Sequence, residues 1–273
     1  VSSSPIIGNS TSKRVQLGSP GEYFEAYLAS PDLPATQIKG AVIVIHEVWG
    51  LVDHIESIAD RYAAEGYIAL APDLMGALAV SAEDASVLQQ QLFAEDPEVR
   101  TAAQPRLREL MAPVAVPEFA ASAITKLVQC VDYLEALQGV DGRVGVTGFC
   151  FGGSYAFSLA VADSRVRASV PFYGYANFTN ELLREIDCPV LYFVGEDDHT
   201  LFSAVPALST QMRESGVDFE AVSYPGAAHA FFNDSNPAAY REGPAADSWV
   251  RSLEFFASHL PADISPADTS PAM

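Results

Sequence analysis

G-F-C-F-G, Gly148–Gly152, sets a cysteine between glycines at the spacing G-x-nucleophile-x-G. An apolar run ends just before it near Thr147, and a helical pattern opens just after it near Phe151. That is the context of a nucleophile elbow, a strand-to-helix turn that strains its central residue and presents the side chain above a sheet. The flanking glycines are needed because larger side chains would clash in so sharp a turn, and Gly153 adds room for close helix packing. Unpaired N–H groups and the dipole of the following helix would favour a thiolate. Free cysteines are among the most buried residues, so the alternative is an inert core position. The elbow context favours Cys150 as a nucleophile.

A nucleophile needs a base, and the base needs a group that orients it. Hydrolases with such an elbow carry these in the order nucleophile, acid, histidine. G-E-D-D-H, Gly195–His199, and G-A-A-H-A-F-F-N, Gly226–Asn233, follow Cys150 in that order, each after a strand pattern. His229 is therefore the expected base and Asp198 the expected acid, with Asp197 and Glu196 as neighbours one or two positions away. His199 adjoins the acid, and adjacent side chains rarely point at each other, so it reads as structural. An oxyanion hole would combine the N–H of Phe151 with one from H-E-V-W-G: Val48, or its neighbour Trp49. Glu47 in that loop would stand beside Cys150, where a carboxylate opposes thiolate formation and so requires a partner or a role. Glu47, Asp198 and His229 could be imagined as metal ligands, but nothing resembles HExxH spacing, and neither a metal nor a cofactor is expected. Trp49, Phe149, Phe151 and Tyr173 lie near strand ends and suggest an apolar substrate pocket.

Positioning these groups calls for a buried parallel sheet. A-V-I-V-I (Ala41–Ile45), Y-I-A-L-A-P (Tyr67–Pro72), R-V-G-V-T-G, V-R-A-S-V-P-F-Y, P-V-L-Y-F-V-G and D-F-E-A-V-S-Y are short runs of the kind that alternate with crossover helices. Ile55, Ile58, Ala59 and Tyr62 share one helix face closed by Gly66, and Ile124, Leu127, Val128, Val131 and Leu134 share another. Further helices follow residues 151, 203 and 245. Y-F-E-A-Y-L-A, Tyr23–Ala29, alternates as a half-buried strand near an antiparallel edge. Residues 74–117 are helical in composition but broken by Pro97, Pro105, Pro113 and Pro117, and read as an excursion over the sheet. The expected organisation is a poorly ordered segment over 1–13, one α/β domain over 14–260 and a disordered tail over 261–273. Ligands of such sheets bind beyond the carboxyl ends of the strands, where all the segments above are expected.

With 35 acidic and 15 basic residues the net charge is −20, which repels phosphate backbones and argues against nucleic acid as a partner. No apolar run approaches the ~18 residues of a membrane span. Cys130, Cys150 and Cys188 are too scattered for a disulfide framework, so a reducing, cytoplasmic location is expected. V-S-S-S-P-I-I-G-N-S has neither the basic region nor the apolar core of a secretory signal, although the missing initiator methionine leaves room for a leader removed before residue 1. The expected partner is a small molecule, and the expected state a monomer or small homo-oligomer.

H-E-V-W-G-L, A-P-D-L (Ala71–Leu74), G-F-C-F-G-G, the D-D-H segment and H-A-F-F-N occur in the order found in the dienelactone hydrolases, or carboxymethylenebutenolidases, of the α/β-hydrolase superfamily. The chain resembles that family over roughly 20–260. The resemblance implies a doubly wound, mostly parallel sheet with helices on both faces. It also implies Cys150 as nucleophile, His229 as base, Asp198 as its orienting acid, and Glu47 as a carboxylate that keeps the resting thiol quiet and helps activate it when substrate binds. A thiol held neutral until substrate arrives would be protected from oxidation. In the family an arginine soon after P-D-L and another four residues past the histidine bind the substrate carboxylate. Ala77 and Asn233 stand there in this chain, and neither can pair with a carboxylate as a guanidinium does. Unless Arg100, Arg106 or Arg108 reaches in from the excursion, the usual anionic dienelactone is not the expected substrate.

The expected function is thus hydrolysis of a carboxylic ester or lactone through an acyl-enzyme at Cys150, with substrate against Trp49, Phe149, Tyr173 and Asn233. The alternative is a binding protein that keeps the fold without turnover. A thiol redox sensor would need a resolving cysteine, and none lies near Cys150 in sequence.

Overall fold

Runs of β-branched and other apolar residues too short for helices become strands, and the amphipathic stretches between them become the layers that cover the sheet. The computed structural model describes residues 10–78, 81–94 and 96–261. Along the chain it runs β1 (Ser10–Leu17), β2 (Phe24–Pro31), β3 (Ala41–Ile45), α1 (Asp53–Ala64), β4 (Ile68–Pro72), α2 (Ala82–Leu92), α3 (Pro97–Met111), α4 (Pro117–Glu135), β5 (Val144–Phe149), α5 (Phe151–Ala162), β6 (Val166–Phe172), α6 (Asn180–Leu183), β7 (Val190–Gly195), α7 (His199–Ser215), β8 (Phe219–Tyr224) and α8 (Glu242–His259). The strands form one eight-stranded sheet in the order β1-β2-β4-β3-β5-β6-β7-β8. β1 and β2 are antiparallel to their neighbours, and β3 to β8 are mutually parallel.

Every residue of β3 is fully buried, and each such Val or Ile contributes about 1.5–3 kcal/mol relative to exposure. On one face α1 meets α8 through Tyr62, whose ring lies 4.6 Å from Trp249 and 5.8 Å from Phe256. On the other α4 meets α5, with Phe119 and Phe151 ring centroids 6.0 Å apart. Helices on both faces of a mostly parallel sheet are the architecture expected of an α/β-hydrolase. Strand order reverses between β3 and β5, which pair from Ala41↔Val144 to Ile45↔Gly148. Their carboxyl ends therefore form the switch point at which such sheets bind ligands.

Two expectations need correction. The N-terminal segment expected to be poorly ordered up to residue 13 is already strand from Ser10, in register with β2 from Ser10↔Pro31 to Leu17↔Phe24. β1 is an edge strand held by backbone hydrogen bonds and mostly exposed, so it carries no apolar alternation; Lys13 and Arg14 protect it from further pairing. Residues 1–9 and 262–273, the rest of the two terminal segments, lie outside the described residues. In the excursion, the prolines do less breaking than expected. Pro97 and Pro117 occupy the first turns of α3 and α4, where no N–H is needed, and Pro105 is carried inside α3. Asp96 caps α3 by accepting from the Glu98 N–H at 2.8 Å, and Ser81 caps α2 by accepting from the Asp84 N–H at 3.1 Å. Among the described residues, no single helix is long and apolar enough to cross a membrane.

Candidate active site

Cys150 sits between β5 and α5 with φ 57° and ψ −112°, a conformation that costs about 1–3 kcal/mol for a non-glycine residue. Its N–H donates to the Phe172 carbonyl at 3.1 Å, which ties the turn to the neighbouring strand. The glycines are set by contact distances. A Cβ on Gly148 would lie 2.1 Å from the Gly152 carbonyl oxygen, and one on Gly152 would lie 2.2 Å from that of Ile45. Both neighbours are backbone and cannot yield cheaply. Gly152→Ala is expected to destabilise the protein by at least about 3 kcal/mol, the upper end of ordinary overpacking costs, as read by urea unfolding. A near-native unfolding midpoint would show that the elbow has slack. Tyr173 (φ 39°) and Ala230 (φ 62°) also adopt left-handed backbone, so three of the four non-glycine positive-φ positions among the described residues adjoin this site.

His229, on the turn after β8, places Nδ1 at 2.6 Å from Asp198 Oδ2. The carboxylate can only accept, so Nδ1 carries a proton, and the imidazole shares its cavity with Cys150. Burial pulls the His229 pKa down, but the Cys150 sulfur and the Asp198 carboxylate outweigh it and hold the imidazole well above its ordinary value. Asp198 caps α7, while Asp197 is exposed and Glu196 accepts a hydrogen bond from Ser223 Oγ at 2.9 Å. Of the three acids in the segment, Asp198 is the one joined to His229. His199 is exposed and bonded to the Glu196 carbonyl at 3.2 Å.

Glu47 is buried and lines the same cavity as Cys150, yet among the described residues its hydrogen bonds go elsewhere. Asn233 Nδ2 donates to Oε2 at 2.7 Å and the Tyr173 hydroxyl donates to Oε1 at 3.4 Å. Burial raises the Glu47 pKa, opposed by the nearby His54 and His229 and by these donors. Behind it His54 is buried, with Nδ1 at 2.9 Å from Asp234 Oδ1 and Nε2 lacking a hydrogen-bond partner among the described residues.

Cys150, His229, Asp198, Glu47, Val48, Trp49 and Asn233 share a cavity of about 380 Å³. Leu92 and Phe93 at the end of α2, and Gln104, Leu107 and Met111 from α3, build its other wall. The excursion is thus part of the site, a function its sequence did not disclose because pocket-facing and core-facing apolar residues look alike. Among the described residues, no arginine or lysine lines the cavity. Arg106 pairs with Glu109 at 3.1 Å, Arg100 donates to the Ala94 carbonyl at 2.6 Å, and Arg108 is exposed. A neighbouring cavity of about 440 Å³, lined by Trp49, His54, Asp73 and Gln89 among others, is larger but holds neither Cys150 nor His229. Among the described residues, no group of three or more His, Cys, Asp or Glu could hold a metal ion.

The expected substrate contacts divide. Trp49 lines the cavity. Phe149 does not: it is buried against Phe172 (4.7 Å) and Phe232 (5.1 Å), because it faces the core one residue before the turn. Tyr173 is fully buried outside the cavity lining, with its hydroxyl on Glu47 and its ring 5.0 Å from that of His229. Asn233 does line the cavity, but its amide nitrogen donates to Glu47 and its oxygen accepts from Ser235. Phe151 lies outside the cavity lining, with its ring 4.6 Å from that of Tyr155. The N–H groups of Phe151, Val48 and Trp49 make no hydrogen bond among the described residues. His46 begins the H-E-V-W-G segment, and nothing in its spacing marks it as part of the site. It is fully buried beneath the loop.

Residues 24–260 match the model of the dienelactone hydrolase family. The chain belongs to the dienelactone hydrolase family. A relative in Saccharolobus solfataricus, provisionally named a carboxymethylenebutenolidase, is 32% identical over 89% of this chain and 97% of its own. A crystal structure described provisionally as a dienelactone hydrolase from Klebsiella pneumoniae superposes with a TM-score of 0.75 at 27% identity, covering 91% of this chain and 99% of that one. A dienelactone hydrolase-like promiscuous phosphotriesterase from metagenomic libraries superposes with a TM-score of 0.68 at 26% identity, over 92% and 99% of the two chains. Dienelactone hydrolase membership makes the protein a hydrolase with a small-molecule substrate, on an α/β-hydrolase fold.

Proposed function

We propose that this dienelactone hydrolase family member cleaves uncharged carboxylic esters or lactones through an acyl-enzyme at Cys150. The observation that carries the reading is the 2.6 Å contact of Asp198 with His229, an imidazole that shares its cavity with a cysteine on a strained elbow. His229 holds the proton of the Cys150 thiol as Sγ attacks the substrate carbonyl, giving a tetrahedral oxyanion. The Phe151 and Val48 N–H groups receive that charge, with Trp49 beside Val48 as the other candidate donor. Collapse breaks the C–O bond of the ester, and the imidazolium returns its proton to the departing alkoxide. A water then gives a proton to His229 and attacks the thioester; release of the acid restores the thiol. Glu47 lines the same cavity as Cys150, with its carboxyl held by Asn233 and Tyr173.

Substrate charge follows from the wall. A carboxylate in this cavity would meet Glu47 and Asp198 with no arginine or lysine among the described lining residues to pair with it, and a poorly paired buried charge is disfavoured. The apolar Leu92, Phe93, Leu107 and Met111 suit an uncharged acyl group. In a hydrolysis panel, kcat/KM for neutral aryl esters or lactones is expected to exceed that for the anionic dienelactone by at least about tenfold. The reverse preference would overturn this assignment. A neutral aryl phosphotriester belongs in the panel because one structural relative carries that activity in its description.

A further inference from the structure

His46 is the last buried side chain before the Glu47–Val48 peptide, and its ring does not line the cavity. The Leu74 N–H donates to Nε2 at 3.0 Å, so that nitrogen is unprotonated and the neutral ring carries its proton on Nδ1. Nδ1–H then donates to the Glu47 carbonyl at 2.6 Å, a carbonyl that also accepts from the Gly50 N–H at 3.2 Å. The ring itself lies 5.7 Å from that of Phe151, within 5° of parallel. One imidazole thus touches loops beyond three adjacent strands: its own after β3, Leu74 after β4 and Phe151 after β5. Burial holds its pKa below the ordinary value, which keeps the ring neutral.

We propose that His46 is a positioning residue for the oxyanion hole, holding the Glu47–Val48 peptide so that the Val48 N–H points into the cavity. The peptide is trans, so its C=O and N–H point in opposite directions. With the carbonyl fixed toward the buried imidazole, the N–H is turned to the other side, where Val48 lines the cavity with Cys150. The Val48 N–H makes no hydrogen bond among the described residues and is available to an oxyanion. The same ring lies against that of Phe151, whose N–H is the second proposed donor. His46 does not touch substrate. This inference rests on the acyl-enzyme reading above.

His46→Phe keeps an aromatic ring but removes the donor and the acceptor. It is expected to lower kcat by about 10- to 100-fold, with KM within about threefold. Alkylation of Cys150 by iodoacetamide, which forms no oxyanion, should stay within about twofold. His46→Gln supplies one donor and one acceptor and should restore kcat to within about threefold of native. An unchanged kcat in His46→Phe overturns the proposal, as does a loss of alkylation parallel to the loss of kcat, or a His46→Gln defect as large as that of His46→Phe. If His46→Phe does not fold, the unsubstituted protein provides the test by NMR with an aryl trifluoromethyl ketone that forms a tetrahedral adduct. The Val48 amide proton should move downfield while His46 keeps its proton on Nδ1, and an unmoved Val48 signal overturns the proposal. Cys150→Ala separates the two levels. Undiminished hydrolysis by that variant defeats the acyl-enzyme reading, whereas an inactive Cys150→Ala beside an unimpaired His46→Phe defeats only the role of His46.

Discussion

Cys150→Ala is expected to lower kcat/KM for ester hydrolysis by at least about 10⁴-fold while leaving the fold intact, because the nucleophile of a triad acts as a unit with its base and orienting acid. What remains in the variant is the cavity and the N–H groups beside it, which can stabilise charge but cannot form a thioester. The substitution removes one sulfur from a partly buried position and keeps a Cβ at the strained φ, so the unfolding midpoint should stay close to native. Circular dichroism and urea unfolding, run beside the assay, distinguish lost chemistry from lost structure. A binding protein on the same fold predicts something different: the native chain itself would bind ester without turning it over.

Asp198→Asn should lower kcat/KM by about 10³–10⁴-fold, the scale seen when an orienting carboxylate is neutralised and the histidine adopts the wrong tautomer. The carboxylate now requires Nδ1 to hold a proton, whereas an amide can donate to that nitrogen instead and turn Nε2 from acceptor to donor. The titration of His229 should move as well. Burial alone lowers its pKa, and Asp198 is one of the groups that raise it, so the variant should titrate at lower pH, as followed by NMR of the ring protons. Asp197→Asn is the control: that side chain is exposed, and the rate should stay near native. Equal losses in the two variants would remove Asp198 from its assigned role.

Much of the sheet was legible because parallel strands buried on both faces read as continuous apolar runs, as A-V-I-V-I does for β3. The elbow was legible for a related reason, since only glycine tolerates contacts as close as those at 148 and 152. Where geometry depends on which way a side chain faces, the sequence said less. Phe149 and Tyr173 lie at strand ends beside the site, but the pleat and the turn direct them into the protein. The sequence offers Asn233 and Tyr173 as substrate contacts, and the structure gives their donors to Glu47, a buried carboxylate that requires partners. β1 escaped because an edge strand is specified by backbone pairing, and His46 because a buried imidazole announces its partners only when distant loops meet. The cavity wall from α2 and α3 was silent for the same reason.

Substrate acyl groups that pass through Cys150 can be trapped there by rapid acid quench during turnover of a p-nitrophenyl ester, followed by peptide mass spectrometry. The expected result is a mass increase equal to the acyl group on the peptide carrying Cys150, reversed by hydroxylamine as a thioester is. Steady turnover with no acylated Cys150, or acyl label on another residue, would contradict it.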